Sequence, residues 1–252
     1  MNRIIEKALG LQMNGFSQEA LNIYQKAYKK EPTNLKICEY YGAALLETGH
    51  YNQARKLLKK VLDEKIEKPQ VLNNLATVNR FLKRYNEALI NVKSAIKFRP
   101  DYQDAWVNCG NIQNDIGNYQ EAIKSYKKAV KLNPQDKEVY LVLAQTYLLN
   151  HEFDLSLDIY KKQKKLFHDV RFLIGELICY RAIKDYNKAL SFADQLRQSF
   201  DNELMWFEWV QTLWMAKESK KAEEQAQIAL KKFDHFPALD DMIKLMDDAK
   251  VS

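Results

Sequence analysis

Cysteine and histidine, the residues that most often carry chemistry in proteins, are few in this chain and do not cluster in its sequence. The three cysteines lie about 70 residues apart, so no two have the spacing of a metal-ligand or redox pair. The four histidines fall at or near predicted turns and also lack ligand spacing. We therefore expect no metal site, no cofactor and no catalytic residue here. The residues concerned are Cys38, Cys109, Cys179, His50, His151, His168 and His235.

Motifs that bind phosphate or activate a nucleophile are also missing from the sequence. It contains no G-x-x-x-x-G-K-[ST], no G-x-G-x-x-G and no G-x-S-x-G. The formal net charge is +6, but 33 acidic residues are mixed among 39 basic ones. Because no block of five like charges occurs, we expect no nucleic-acid partner.

The hydropathy pattern argues against membrane insertion. No stretch of about 18 apolar residues occurs, and the N-terminal sequence MNRIIEKALGLQ lacks the apolar core of a secretory signal. An odd, sparse set of cysteines is typical of a reducing compartment. The sequence therefore predicts a cytoplasmic protein.

A repeat of 34 residues organises the chain. Four alanines stand at this interval, and small residues continue the series at intervals of 34, 33 and 33 residues. Such self-similarity indicates a repeat architecture, in which each unit buries its apolar face only against its neighbours. The series is Ala20, Ala54, Ala88, Ala122, Ser156, Ala189 and Ala222.

Further columns of residues share this interval and have steric explanations. Small residues are needed where two antiparallel helices cross most closely, and prolines end a helix by removing a donor. Apolar residues within each unit follow helical rather than alternating spacing. The small column is Ala8, Gly42, Ala76, Gly110 and Ala144, and the proline column is Pro32, Pro100 and Pro134.

These columns resemble the tetratricopeptide repeat (TPR) family, most clearly over 103–136, where Trp106, Gly110, Tyr119 and Ala122 match the family pattern. The resemblance implies an all-α, right-handed solenoid of helical hairpins over residues 1–252. We assign seven hairpins and a C-terminal capping helix over 238–249. The hairpins are 1–34, 35–68, 69–102, 103–136, 137–169, 170–202 and 203–236. The proline column fails at His168, Asp201 and Asp234, and the small column becomes Leu177 and Val210.

In TPR solenoids the first helix of each hairpin lines a concave groove, so the resemblance also implies candidate site residues. Their middle portion is polar and rich in amides, which can both donate to and accept from the backbone of an extended peptide. The residues expected there are Asn73, Asn74, Thr77, Arg80, Asp104, Asn108, Asn111, Asn114, Asp115 and Gln145.

Two of these asparagines have a closer parallel. Asn74 and Asn108 resemble two rungs of the asparagine ladder in the TPR superhelix of O-linked N-acetylglucosamine transferases, although asparagine is also common at this TPR position. The clamp that some TPR proteins use for chaperone tails needs Lys and Arg, and only Asn74 fits it here. A heat-shock-protein tail is therefore not the expected ligand.

The C-terminal third predicts an apolar groove instead, around Phe207, Trp214 and Met215. Apolar surface of that extent should be covered. Tighter coiling of the last units, the capping helix, a partner helix or a second copy, which would make a homodimer, could each cover it.

The resemblance implies a non-catalytic scaffold or adaptor that binds an extended peptide or a helix of a partner protein. Many free-standing bacterial TPR proteins act in assembly, for instance in type IV pilus biogenesis. TPR arrays also precede glycosyltransferase and sulfotransferase domains and select their substrates. The alternative is therefore a substrate-selecting region of a larger enzyme.

Overall fold

The computed structural model describes residues 2–63, 68–233 and 236–251, and these form fifteen α-helices and no strand. From α1 to α14, helices with odd numbers are the first helices of hairpins and those with even numbers are the second. The bounds are α1 Asn2–Met13, α2 Ser17–Lys30, α3 Leu35–Glu47, α4 Tyr51–Asp63, α5 Pro69–Phe81, α6 Tyr85–Phe98, α7 Gln103–Asp115, α8 Tyr119–Leu132, α9 Lys137–Leu149, α10 Phe153–Phe167, α11 Val170–Ala182, α12 Tyr186–Phe200, α13 Glu203–Met215, α14 Ser219–Lys232 and α15 Pro237–Val251. The all-α prediction is confirmed.

Small residues allow the helices to approach, as the sequence predicts. A Cβ atom placed on Gly110 would lie 2.5 Å from Cε1 of Tyr126, which belongs to the second helix of the same hairpin. Ala54, Ala88 and Ala122 have no exposed surface. Interiors are packed to crystal density, so a larger residue in these columns would have to displace its neighbour.

Each hairpin turn contains one residue in the left-handed region. Glycine fills this place in Gly15, Gly49 and Gly117, with φ of 83°, 78° and 79°. Only glycine adopts this conformation without a steric penalty. Non-glycine residues occupy the equivalent place in the other four turns, namely Lys83, His151, Lys184 and Lys217.

Failure of the proline column changes how hairpins are joined. The residues before Pro32, Pro100 and Pro134 are extended, as proline requires, and four residues follow α6 and α8 before the next helix. By contrast, α10 and α12 are capped at their C-termini by His168 and Asp201, whose φ values are 50° and 35°. A left-handed cap therefore replaces proline there, and only two residues join the hairpins. Asp234, the third such position, lies outside the described residues.

The chain divides into two compact units, Met1–Thr146 and Tyr147–Ser252, and the division falls within α9. The first unit has two clusters of buried side chains, centred on α1–α4 and on α5–α7. The second unit has one cluster, which extends from Leu177 to Met246.

Packing in the second unit departs from the predicted column. The small residue of the sixth hairpin is replaced by Leu177, and the close approach moves to Gly175. A Cβ atom on Gly175 would lie within van der Waals overlap of the Tyr160 ring, which comes from the preceding hairpin rather than its own. Leu177 is fully buried, and Gly175 is the residue that lets α10 and α11 meet.

The C-terminal helix α15 packs on the last hairpin, against α13 and α14. Leu239, Met242 and Met246 are buried and Ile243 is partly buried in the core of the second unit. None of the helices in the described ranges combines the length and hydropathy that a membrane crossing needs.

Candidate binding groove

A cavity of about 500 Å³ lies in the first unit, between α5, α7 and the beginning of α9. Its lining is made of amides, carboxylates, one threonine and three valines. The lining residues are Asn73, Asn74, Thr77, Asp104, Val107, Asn108, Asn111, Asp136, Glu138, Val139 and Val142.

Helical geometry explains why these side chains share one surface. Asn74 and Thr77 lie one turn apart on α5, and Asn108 and Asn111 occupy the equivalent places on α7. The opposite faces of the two helices carry buried residues such as Leu75 and Cys109, which hold them in the core. Because α5 and α7 contact each other directly, the polar faces lie side by side.

Hydrogen bonds hold part of this amide row in place. Asn108 donates from Nδ2 to Oδ1 of Asn73 at 2.9 Å, and Asn73 is only 4% exposed. Asn73 also hydrogen-bonds the hydroxyl of Tyr102. The Tyr126 hydroxyl donates to Oδ1 of Asn111 at 2.7 Å. Asn74 makes no side-chain hydrogen bond within the described residues, so its amide is available to a ligand.

Every charged side chain among the described residues that line the cavity is a carboxylate. Asp136 accepts from Nε2 of Gln103 at 2.7 Å, and its other oxygen accepts from the backbone N–H of Glu138 at 3.1 Å. Asp104 is exposed and makes no hydrogen bond or ion pair with any described residue. The cavity therefore combines negative charge with an apolar floor of Val107, Val139 and Val142.

Six of the ten groove residues expected from sequence line this cavity, namely Asn73, Asn74, Thr77, Asp104, Asn108 and Asn111. The other four, Arg80, Asn114, Asp115 and Gln145, lie outside it. Arg80 donates from Nε and Nη2 to Asp115 at 2.7 and 3.3 Å. This ion pair joins α5 to α7 and neutralises Asp115.

Sequence reasoning missed Asp136 and the three valines. Asp136 precedes α9, where an acidic residue accepts from the first backbone N–H groups of a helix. Its place just before a predicted helix was the sequence signal that could have identified Asp136. The valines carry no chemical signal and are recognised only through the cavity that they enclose.

The predicted apolar surface of the C-terminal hairpins is largely covered. Phe207 and Trp214 are partly buried against the core of the second unit, whereas Met215 is 40% exposed. Beside them lies a buried polar group that the sequence did not predict. Arg181 contacts Glu208 at 2.8 Å and donates to Gln211 at 2.6 Å. Self-association through Phe207, Trp214 and Met215 stays a prediction.

The cysteines are buried, and burial raises the pKa of each thiol, for Cys179 to about 11. A thiol with a raised pKa is a weak nucleophile at neutral pH. Within the described ranges no group of three His, Cys, Asp or Glu side chains could hold a metal ion. His235 lies outside those ranges.

Two stretches of the chain match sequence models of the tetratricopeptide repeat, residues 15–73 and residues 104–136. A search of curated protein sequences found no match.

Solved structures with a similar fold include a tetratricopeptide repeat protein from Parabacteroides merdae, which is 17% identical. The match covers 97% of this chain and 98% of that chain, with a TM-score of 0.68. PilF of Pseudomonas aeruginosa is 20% identical over 81% of this chain and 93% of its own, with a TM-score of 0.63. YrrB, described as a TPR protein with an unusual peptide-binding site, is 19% identical over 69% and 90%, with a TM-score of 0.55.

Proposed function

The chain is a tetratricopeptide repeat protein, by the sequence of two stretches and by its fold, and on that premise we propose that it is an interaction scaffold without catalytic activity. Its ligand is an extended, positively charged segment of a partner protein, which binds in the groove of the first unit. The observation that carries the proposal is the cavity itself, in which amides from successive repeats face a lining whose charges are all negative.

Backbone recognition supplies the first part of the binding energy. Asn74 offers a free donor and acceptor, and Asn108 keeps its Oδ1 because only its Nδ2 is engaged by Asn73. These two amides can pair with N–H and C=O groups of an extended chain whatever its side chains are. Each net hydrogen bond contributes about 1 kcal/mol. A similar fold in YrrB, described as having a peptide-binding site, supports this mode of use.

Charge supplies the preference among peptides. Asp104 has no partner in the described chain, and Asp136 and Glu138 line the same cavity. A lysine or arginine side chain could lay its aliphatic stem on the valine floor and place its charge beside Asp104. Asp115 takes no part, because Arg80 already neutralises it.

The test begins with peptides selected from a random displayed library on the wild-type protein. Calorimetry should show that the Asn74→Ala, Asn108→Ala double variant binds them about tenfold or more weakly. Two exposed asparagines on second helices give the matched control, Asn86→Ala with Asn187→Ala, which should bind as wild type does. Selected peptides that bind equally to both double variants would contradict the groove site.

Asp104→Asn tests the charge preference separately. We expect it to weaken the binding of peptides that carry Lys or Arg and to leave the binding of neutral peptides unchanged. The effect should shrink as salt is added. Asp154→Asn, at an exposed carboxylate of the second unit, is the control. Equal losses for basic and neutral peptides would retain the groove as a site and remove its preference for charge. The same groove would serve if the bound segment belonged to a substrate of a separate catalytic domain.

A further inference from the structure

A second recess lies at the opposite end of the first unit from α9, between the two helices of the first hairpin. It has a volume of about 410 Å³ and is separate from the groove. Its apolar part is formed by Ile4, Ile23 and Ala27. We call this recess the first-hairpin cleft. Among the described residues its rim is formed by four cations and no carboxylate, namely Arg3, Lys7, Lys26 and Lys30.

These four cations have no acidic partner in the described part of the chain. Exposed lysines elsewhere form short-range ion pairs, for example Lys124 with Glu121 and Lys188 with Asp185. The cleft therefore keeps an uncompensated positive rim around an apolar floor. Ile4 is 42% exposed on that floor, which makes it a surface that a partner could cover.

The position of Lys7 is buried in the repeats that follow. Lys7 stands in the column that holds Tyr41, Leu75, Cys109 and Leu143 in the next four first helices. Those four residues are buried, whereas Lys7 is exposed. The first hairpin therefore presents a cationic version of a surface that is buried in the next four first helices.

The outer face of α15 has the complementary character. Its inner stripe is buried on the last hairpin, but Asp241, Leu245 and Asp248 follow one another at i, i+4 and i+7 on the exposed side. Leu245 is 58% exposed between the two carboxylates. Asp241 forms only an exposed ion pair with Lys244, and such pairs are weak. The helix thus offers one apolar side chain flanked by negative charge.

We propose that α15 of one molecule docks into the first-hairpin cleft of a second copy of this chain. Leu245 enters between Ile4 and Ile23, and Asp241 and Asp248 face the cationic rim. The contact joins two different surfaces, so a pair of molecules keeps one free cleft and one free α15. One helix ridge in one cleft is smaller than a standard interface of about 1,200–2,000 Å². Association is therefore weak, depends on protein concentration and is reduced by salt.

Sedimentation velocity of the full chain over a wide concentration range tests the proposal. The average mass of the wild type should rise with concentration and fall when salt is added. Lys7→Glu with Lys26→Glu, and separately Asp241→Lys with Asp248→Lys, should each weaken self-association by about tenfold or more. Lys128→Glu with Lys131→Glu, which makes the same charge change on the exposed side of α8, should have no comparable effect.

Charge exchange gives the decisive arm. An equimolar mixture of the two double variants, and a single chain that carries all four substitutions, should both regain association because the opposite charges face each other again. Circular dichroism melts establish that every variant is folded. A wild type that stays monomeric at all concentrations would overturn the proposal, as would association that neither double variant weakens or the mixture does not restore. Binding to phosphatidylserine vesicles through Lys7 and Lys26, without self-association, would instead assign the cleft to a lipid surface.

Discussion

Asn108 donates from Nδ2 to Oδ1 of Asn73 over 2.9 Å and so joins the first helices of two successive hairpins beneath the groove. Both residues line the cavity, but Asn73 is buried, whereas Asn108 is partly exposed and keeps its own Oδ1 for a ligand. The bond fixes the direction in which Asn108 can accept from a ligand. Asn73, which is almost inaccessible to a ligand, therefore orients Asn108, which a ligand can contact directly.

The first prediction concerns this pair. Replacing Asn73 by Ala should lower the free energy of unfolding by about 1 kcal/mol. A double-mutant cycle with Asn108→Ala, measured by urea unfolding, should give a coupling energy of about 0.5–1.5 kcal/mol. Strictly additive single effects would mean that the bond does not contribute to stability.

The second prediction concerns the crossing of α7 and α8. Gly110→Ala should destabilise the protein by roughly 1–3 kcal/mol, because the new methyl group would overlap the Tyr126 ring. The ring cannot move freely, since its hydroxyl donates to Asn111 at 2.7 Å. Gly42→Ala is the matched comparison, because its Cβ would meet the flexible end of Leu58 at 2.9 Å. The melting temperature of Gly110→Ala should be well below that of Gly42→Ala. Equal decreases in melting temperature would contradict this account.

The third prediction concerns the non-glycine residues in the hairpin turns. Lys83, Lys184 and Lys217 have φ of 57°, 61° and 64°, and an L residue in this region is disfavoured by roughly 1–2 kcal/mol. Glycine there should raise stability by a few tenths to about 1 kcal/mol per site, after its greater freedom in the unfolded chain is subtracted. Lys93→Gly, in the middle of α6, should instead lower it by about 1 kcal/mol. Chemical denaturation measures both, and destabilisation at the turns would disprove the steric argument.

The fourth prediction concerns the three thiols. Burial raises the pKa of Cys38, Cys109 and Cys179, so all three remain protonated at neutral pH. A disulfide reagent should label the native protein only at the slow rate of local opening and should label three thiols promptly in guanidinium. Raising the pH to 9 should speed the native reaction far less than it speeds the reaction of a free cysteine. Rapid labelling of any one cysteine in the native state would show that it is accessible and ionised.

The fifth prediction concerns α15 as a cap. Met242 and Met246 are buried in the core of the second unit, and replacing a buried Met by Ala costs roughly 2–5 kcal/mol. Each substitution should lower the melting temperature, and removal of residues 238–252 should lower it further and promote aggregation. Leu245→Ala, on the exposed side of the same helix, is the control and should leave the melting curve nearly unchanged. A truncated chain that melts like the full one would exclude capping.

The sequence predicted the elements better than the contacts between them. The alanine and glycine columns follow from steric limits that the first five hairpins share, so the close approach at Gly110 could be predicted without coordinates. Gly175 could not, because its partner Tyr160 belongs to the preceding hairpin and the column itself carries Leu177. For the same reason the sequence placed Arg80 among the groove residues but did not predict its pairing with Asp115. Only the distance between α5 and α7 reveals that Arg80 neutralises Asp115.

The connections between hairpins have unequal lengths, and this has a practical consequence for inserting foreign sequence. Four residues follow α6 and α8, in the segments 99–102 and 133–136, whereas two residues follow α10 and α12, in 168–169 and 201–202. Lengthening a four-residue connection costs little additional closure entropy. A two-residue connection that begins with a left-handed cap has no residue to spare between the two helices, so added residues would displace the next helix. A fluorophore tag or an affinity epitope is therefore better placed at 99–102 than at 168–169. An insertion at 168–169 would separate α10 from α11 and disrupt the packing between their hairpins.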